Sequence, residues 1–215
     1  MMKRALFLKK LSMSSLINDS GSVIPVTVLE YIDQEILSIK TKENDGYEAV
    51  QFAFGNVSES KLNKPKLGVF KKKNKSPKKN IKELRFSSDA YLEYVADSEK
   101  ESNSNLLSIE SFEVNDRVSL RSKSKGKGFQ GTIKAHNFKR GPMSHGSKNH
   151  RLPGSIGAGT DPARVLKGTR MAKRLGNKFV TISNLLVVKI DSEKGLMFVQ
   201  GSIPGNKNEY ILMYK

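Results

Sequence analysis

Residues 179–203 read FVTISNLLVVKIDSEKGLMFVQGSI, two runs rich in β-branched and aromatic residues parted by DSEKG. Val, Ile, Thr and Phe suit a pleated surface, and a polar cluster ending in glycine suits a reversal, so the stretch predicts two strands joined by a turn. The pattern recurs outward in both directions. On the C-terminal side PGNKN (204–208) is a further turn and EYILMY (209–214) a further strand. On the N-terminal side the runs are VNDRVSL (114–120), YEAVQFAF (47–54) and SVIPVTVLEYI (22–32), with ENDGY, beside EILSIK, supplying turn chemistry between the last two. Short strands with regular turns predict a mainly β chain folded as a closed β-barrel. Helix is minor: DAYLEYVADSEK (89–100) has apolar spacing at Leu92 and Val95 with Ser88 or Asp89 as a cap, and ARVLKGTRMAKRLG (163–176) has room for a turn or two.

Between the strands lies a segment of another kind. Residues 121–178 hold 15 bases and one acid, Asp161, with 10 of the 17 glycines, 3 of the 7 prolines and all three histidines. This stretch carries most of the net charge of +17. It is far longer than an ordinary connection between strands, and its few large apolar residues are too sparse to offset the entropy of ordering it alone. The expected division is therefore a barrel domain from 1–120 and 179–215, with a basic and helical insert near 61–100, and an extended loop over 121–178. Local positive charge calls for a polyanion. A membrane surface is a poor match, because no stretch is an amphipathic basic helix and no run approaches the 18 apolar residues of a span. The lysine run KKKNKSPKKN (71–80) reads as readily as a solvated face as a binding one. Zero cysteines exclude disulfides and thiolate metal sites. The opening MMKRALFLKKLSMSS is a weak match to a cleaved targeting sequence, since its apolar run is short and broken by lysines.

Three chemistries suggested by residues 126–150 fail on their missing partners. GKGFQG (126–131) has the spacing of a dinucleotide-binding turn, but the position that should offer an acid to the ribose is Arg151, no carboxylate occurs from 117 to 160, and TIKAHNFKRGP does not read as a helix. His136, His145 and His150 lack the cysteine or carboxylate that would complete a zinc site. Ser144 beside His145 has no local acid to orient a catalytic pair. Neither metal, cofactor, small-molecule substrate nor enzymatic activity is expected. Glycine N–H groups and bases that approach phosphates closely fit RNA instead. The candidate RNA-binding residues are Lys123, Lys125, Lys127, Phe129, Lys134, His136, Lys139, Arg140, His145, Lys148, His150, Arg151, Arg164, Lys167, Arg170, Lys173 and Arg174.

The run SKGKGFQGTIKAHNFKRGPMSHGSKNHRLPGSIGAGTDPARVLKGTRMAKRLGN (124–177) closely resembles the central extension of the universal large-subunit ribosomal protein L-three family, in its bacterial and plastid form. VIPVTVLE, NDGYEAVQ, NKPKLG, LRF, VTISNLLVVKID and GSIPG also fall in the family's order. The resemblance implies a barrel of the translation-protein type whose extension enters ribosomal RNA towards the peptidyl transferase centre, binding near that RNA's 3′ end and helping start assembly. It also implies neighbouring large-subunit proteins as partners. The residues that carry over are Lys123, Lys125, Lys127, Phe129, His145, Lys148, His150, Arg151 and Lys167. Two departures stand out. The family's opening resembles GLIGKKLGMT where this chain has ALFLKKLSMS, and Ala158 stands where some bacterial members carry a methylated glutamine. Similarity of GPMSHGSKNHRLPGSIGAGT to cyanobacterial and plastid members, with lysine- and asparagine-rich composition, favours a plastid-type organelle over a bacterial cytoplasm. A free RNA-binding chaperone or regulator is the alternative, distinguished by whether the chain sediments with large subunits.

Overall fold

The computed structural model describes residues 2–18, 20–98 and 107–215. The chain divides into two compact units, one of Met1–Lys123 with Phe179–Lys215 and one of Ser124–Lys178. The first is built on a closed, wholly antiparallel barrel of six strands: β1 (Ala5–Ile17), β2 (Val23–Tyr31), β6 (Arg117–Lys123), β9 (Phe179–Asp191), β10 (Leu196–Gln200) and β11 (Tyr210–Tyr214). Around the barrel they run β1, β11, β6, β9, β10, β2 and back to β1.

Two long strands turn its corners. β1 pairs with β11 over Ala5–Lys9 and with β2 over Leu8–Ile17, with a register shift between Lys10 and Ser12. β9 pairs with β6 from Phe179 to Leu186 and with β10 from Val187 to Asp191. Where β9 bends, Val118↔Leu185 and Leu120↔Ile182 leave one extra residue on β9, and Asn184 there takes a left-handed φ of 61°. Asparagine is among the few residues other than glycine that visit this region readily. Its Oδ1 also accepts a hydrogen bond from Arg117 at 2.7 Å. A bulge of this kind lets a strand change partners without breaking the barrel wall.

The barrel takes fewer of the expected strands than the sequence suggests. YEAVQFAF lies in β4 (Ala49–Asn56), which with β3 (Gln34–Lys40) and β5 (Lys78–Leu84) forms a separate sheet of order β3-β4-β5. EILSIK is strand β3, and ENDGY supplies the turn to β4 as one helical turn, α1 (Lys42–Asp45), closed by Gly46 at φ 79°. One face of this sheet (Ile36, Val50, Phe52, Phe54, Leu84) packs with Ala5, Phe7 and Leu212 of the barrel wall and with helix α3 (Ser88–Ser98). The Phe7 and Phe54 rings stack at 4.0 Å. On the other face Leu37, Ala53 and Ile81 cover Phe70 of α2 (Lys64–Lys72).

This arrangement accounts for the departure at the opening. In β1, Leu6 and Leu8 enter the barrel interior with Leu120, Val187, Met197 and Ile211, while Ala5 and Phe7 enter the core under the second sheet. A strand buried on both faces reads as a continuous apolar run. ALFL thus fills both cores, and Leu8 is fully buried.

Three expectations need correction. The buried positions of α3 are Ala90, Tyr91 and Tyr94, not Leu92, which is 63% exposed, because the sheet beside the helix is met by the larger rings. The helix begins at Ser88, and positions 99 and 100 of the expected helix lie outside the described residues. The second run, LMFVQGSI, stops as strand at Gln200, since Gly201 takes φ 89°. Within KKKNKSPKKN most lysines are exposed, but Lys78 is 2% exposed, its Nζ held by Asp33, by Glu35 at 3.2 Å and by Asn56 at 2.6 Å.

Candidate nucleic-acid interface

Unit two is a two-armed hairpin. At its neck the Ser124 N–H donates to the Lys178 carbonyl at 2.8 Å, Lys127 N–H to Leu175 at 2.9 Å and Leu175 N–H to Gly128 at 2.9 Å. Strand β7 (Phe129–Gln130) then pairs antiparallel with β8 (Lys173–Arg174). Arms this close need glycine. Gly176 lies at φ 75°, and a Cβ there would overlap the Lys125 carbonyl oxygen. The neck therefore displays Lys125, Lys127 and Phe129 from one arm and Lys173 and Arg174 from the other, all exposed.

Beyond the neck, TIKAH forms α4 (Thr132–His136), closed by Asn137 at φ 60°. The expectation that TIKAHNFKRGP is not helical is corrected for these five residues; a two-residue strand and a five-residue helix are nevertheless no strand–turn–helix cradle for a pyrophosphate. His136 Nε2–H donates to the Met171 carbonyl at 2.9 Å, tying the arms together across 35 residues of chain. Further out, Gly141 N–H donates to the His150 carbonyl at 3.0 Å and His150 Nδ1–H to the Pro142 carbonyl at 2.8 Å. A Cβ on Gly141 would overlap the Asn149 carbonyl oxygen. GPMSHGSKNH is thus a loop closed at its base, with His145 (φ 57°) and Gly146 (φ 73°) making its turn. Two of the three histidines spend a ring N–H on a backbone carbonyl, which fixes their rings. Among the described residues no three potential ligands from His, Asp and Glu gather.

The segment 163–176 holds no helix: Thr169 N–H closes a turn on the Leu166 carbonyl, and the chain then extends into β8. Across the whole unit only Thr132 is buried. Phe129 is 70% exposed, and Met143, Leu152 and Leu166 are also exposed. Lys125, Lys127, Lys134, Lys139, Arg140, His145, Lys148, Arg151, Arg164, Lys167, Arg170, Lys173 and Arg174 are exposed, while His136 and His150 are half-buried. None of these cations forms an ion pair among the described residues. Lys123 belongs to unit one, half-buried at the end of β6.

The sequence reading missed three residues of unit one. The Phe179 ring, 58% exposed, has the Arg121 guanidinium 5.2 Å and the Lys82 Nζ 6.0 Å from its centroid. The alternation in RSK, with Arg121 and Lys123 on one face of a strand, was the available signal. Lys82 carried none, because its nearness depends on a second sheet.

Fold and surface together define a β-barrel protein bearing a basic, coreless hairpin, a form suited to a polyanion. The chain belongs to the family described as Ribosomal protein L3, whose model matches residues 66–197. It is 42% identical over 196 residues to the Large ribosomal subunit protein uL3c of Phaeodactylum tricornutum, covering 91% of this chain and 90% of the relative. It is likewise 42% identical over 203 residues to the Large ribosomal subunit protein uL3 of Prochlorococcus marinus, covering 94% and 89%.

Proposed function

We propose that the chain is a structural and assembly component of the large ribosomal subunit, in the ribosome of a plastid-type organelle. It binds large-subunit RNA near the 3′ end, extends the basic hairpin towards the peptidyl transferase centre, and borders other large-subunit proteins. Family membership supports the structural, non-enzymatic role, and relatives named uL3c and uL3 support the organellar or cyanobacterial type. The observation that carries RNA binding is the hairpin's row of exposed cations without carboxylate partners. Such groups attract phosphates, and their binding releases counterions. Log affinity for the subunit RNA should therefore fall linearly with log salt, by roughly 0.7 to 0.9 for each phosphate contacted. Filter binding of the intact chain to that RNA over a salt series measures the slope. A flat dependence, or a chain that stays at the top of a gradient while large subunits sediment, would refute the reading.

A further inference from the structure

We propose a second RNA contact on the barrel itself: Phe179, flanked by Arg121 and Lys82, is a platform on which one unpaired base stacks while the two cations hold the adjoining phosphates. The inference rests on the RNA-binding reading above but concerns residues outside the hairpin. It begins with strand alternation. In β6, Leu120 and Ser122 are fully buried, so Arg121 and Lys123 face outward. Lys123 is paired with Phe179 and Arg121 with Thr181, which places the ring on that outer face beside both bases. Lys82 reaches it from β5, an edge strand of the second sheet.

An exposed phenylalanine alone means little. This ring differs in its surroundings. Arg121 and Lys82 form no ion pair among the described residues, and both lie within the range at which a cation is drawn to an aromatic ring. An exposed ring among unpaired cations is the arrangement that single-stranded nucleic acid uses, with stacking for the base and charge for the backbone. A duplex, whose bases are already stacked, would gain nothing from the ring.

The chain contains no tryptophan. Phe179→Trp in the full-length protein therefore installs one fluorophore at this position. Titration with a fluorescein-labelled oligouridylate of about twelve nucleotides should quench its emission, whereas inorganic polyphosphate, which has charge but no bases, should not. In the same background Arg121→Gln with Lys82→Gln should raise the oligonucleotide concentration at half-quenching about tenfold. Anisotropy of the label reports RNA binding anywhere on the chain. Binding by anisotropy without quenching, or equal quenching by polyphosphate, overturns the platform alone; no anisotropy change at any RNA concentration overturns the RNA-binding reading with it.

Discussion

Lys78 stands in the middle of a lysine run yet is almost fully buried. Its burial follows from pairing: Lys78 lies opposite Asn56 across β5 and β4, and the sheet brings Asp33 and Glu35 to its ammonium. No local pattern distinguishes it from Lys79 beside it, because the acids that hold it lie more than forty residues away. The three groups are not equivalent, since Lys78 is shut from water while the Asp33 side chain is 58% exposed. Removing the acids leaves a buried ammonium without a counter-charge, which costs several kcal/mol; replacing the lysine by an apolar group of similar length removes the ion that burial penalises. Asp33→Asn with Glu35→Gln should accordingly destabilise the protein by roughly 3 kcal/mol, and Lys78→Met by clearly less. Urea unfolding of both variants checks the order. If Lys78→Met proved the more damaging, the desolvation argument would be wrong.

Elements were legible to the extent that their faces differ. VIPVTVLEY, VTISNLLVVKI and YILMY emerged as strands from β-branched and aromatic composition alone. Which sheet each joined did not, because both cores demand the same residues: Phe52 in the second sheet and Leu6 in the barrel are equally buried. In α3 the apolar spacing was right for Val95, which packs against the core, and wrong for Leu92, which faces outward, since Tyr91 and Tyr94 are large enough to fill the core while their hydroxyls find partners; the Tyr91 hydroxyl donates to the Lys40 carbonyl at 2.9 Å, and the buried Tyr94 hydroxyl accepts from the Ala5 N–H at 3.4 Å. The hairpin's character, by contrast, was plain in its glycine and base content, but not its internal ties, because a hydrogen bond from His136 to Met171 depends on how two distant arms align. At this scale Gly176 is decisive. Gly176→Ala adds a Cβ where the Lys125 carbonyl oxygen stands, at a positive φ that alanine disfavours. The neck should open. Amide exchange at Lys127 and Leu175 should quicken at least tenfold, while exchange within β10 and β11 stays as it was. Unchanged exchange at the neck would show that the arms are held by something other than their close approach.

At the scale of the molecule, none of the three apolar clusters includes a residue from Ser124–Lys178. Stability thus resides in unit one. Joining Lys123 to Phe179 through a short Gly-Ser turn should leave a protein that melts cooperatively, yet large subunits reconstituted with it should be inactive in peptidyl transfer. Failure of the shortened protein to fold would place part of the core in the hairpin after all. The pairing of Lys123 with Phe179 also bears on how fast the chain finds its shape. β6 and β9 are neighbours in the wall but distant in the chain, so their meeting must close a loop as long as the whole hairpin before any contact between them is gained. Loop-closure entropy grows as about 1.5 RT times the logarithm of loop length. Cutting that loop to about four residues lowers the barrier by roughly 2 kcal/mol where the β6–β9 contact is already formed in the transition state, or on the order of fiftyfold in rate. Stopped-flow refolding should then show the shortened protein folding faster while its unfolding rate barely changes. The basic arm would emerge as a kinetic burden on the barrel that carries it, and synthesis from the N-terminus would hold β1 to β6 waiting for strands that arrive only after the arm has been made.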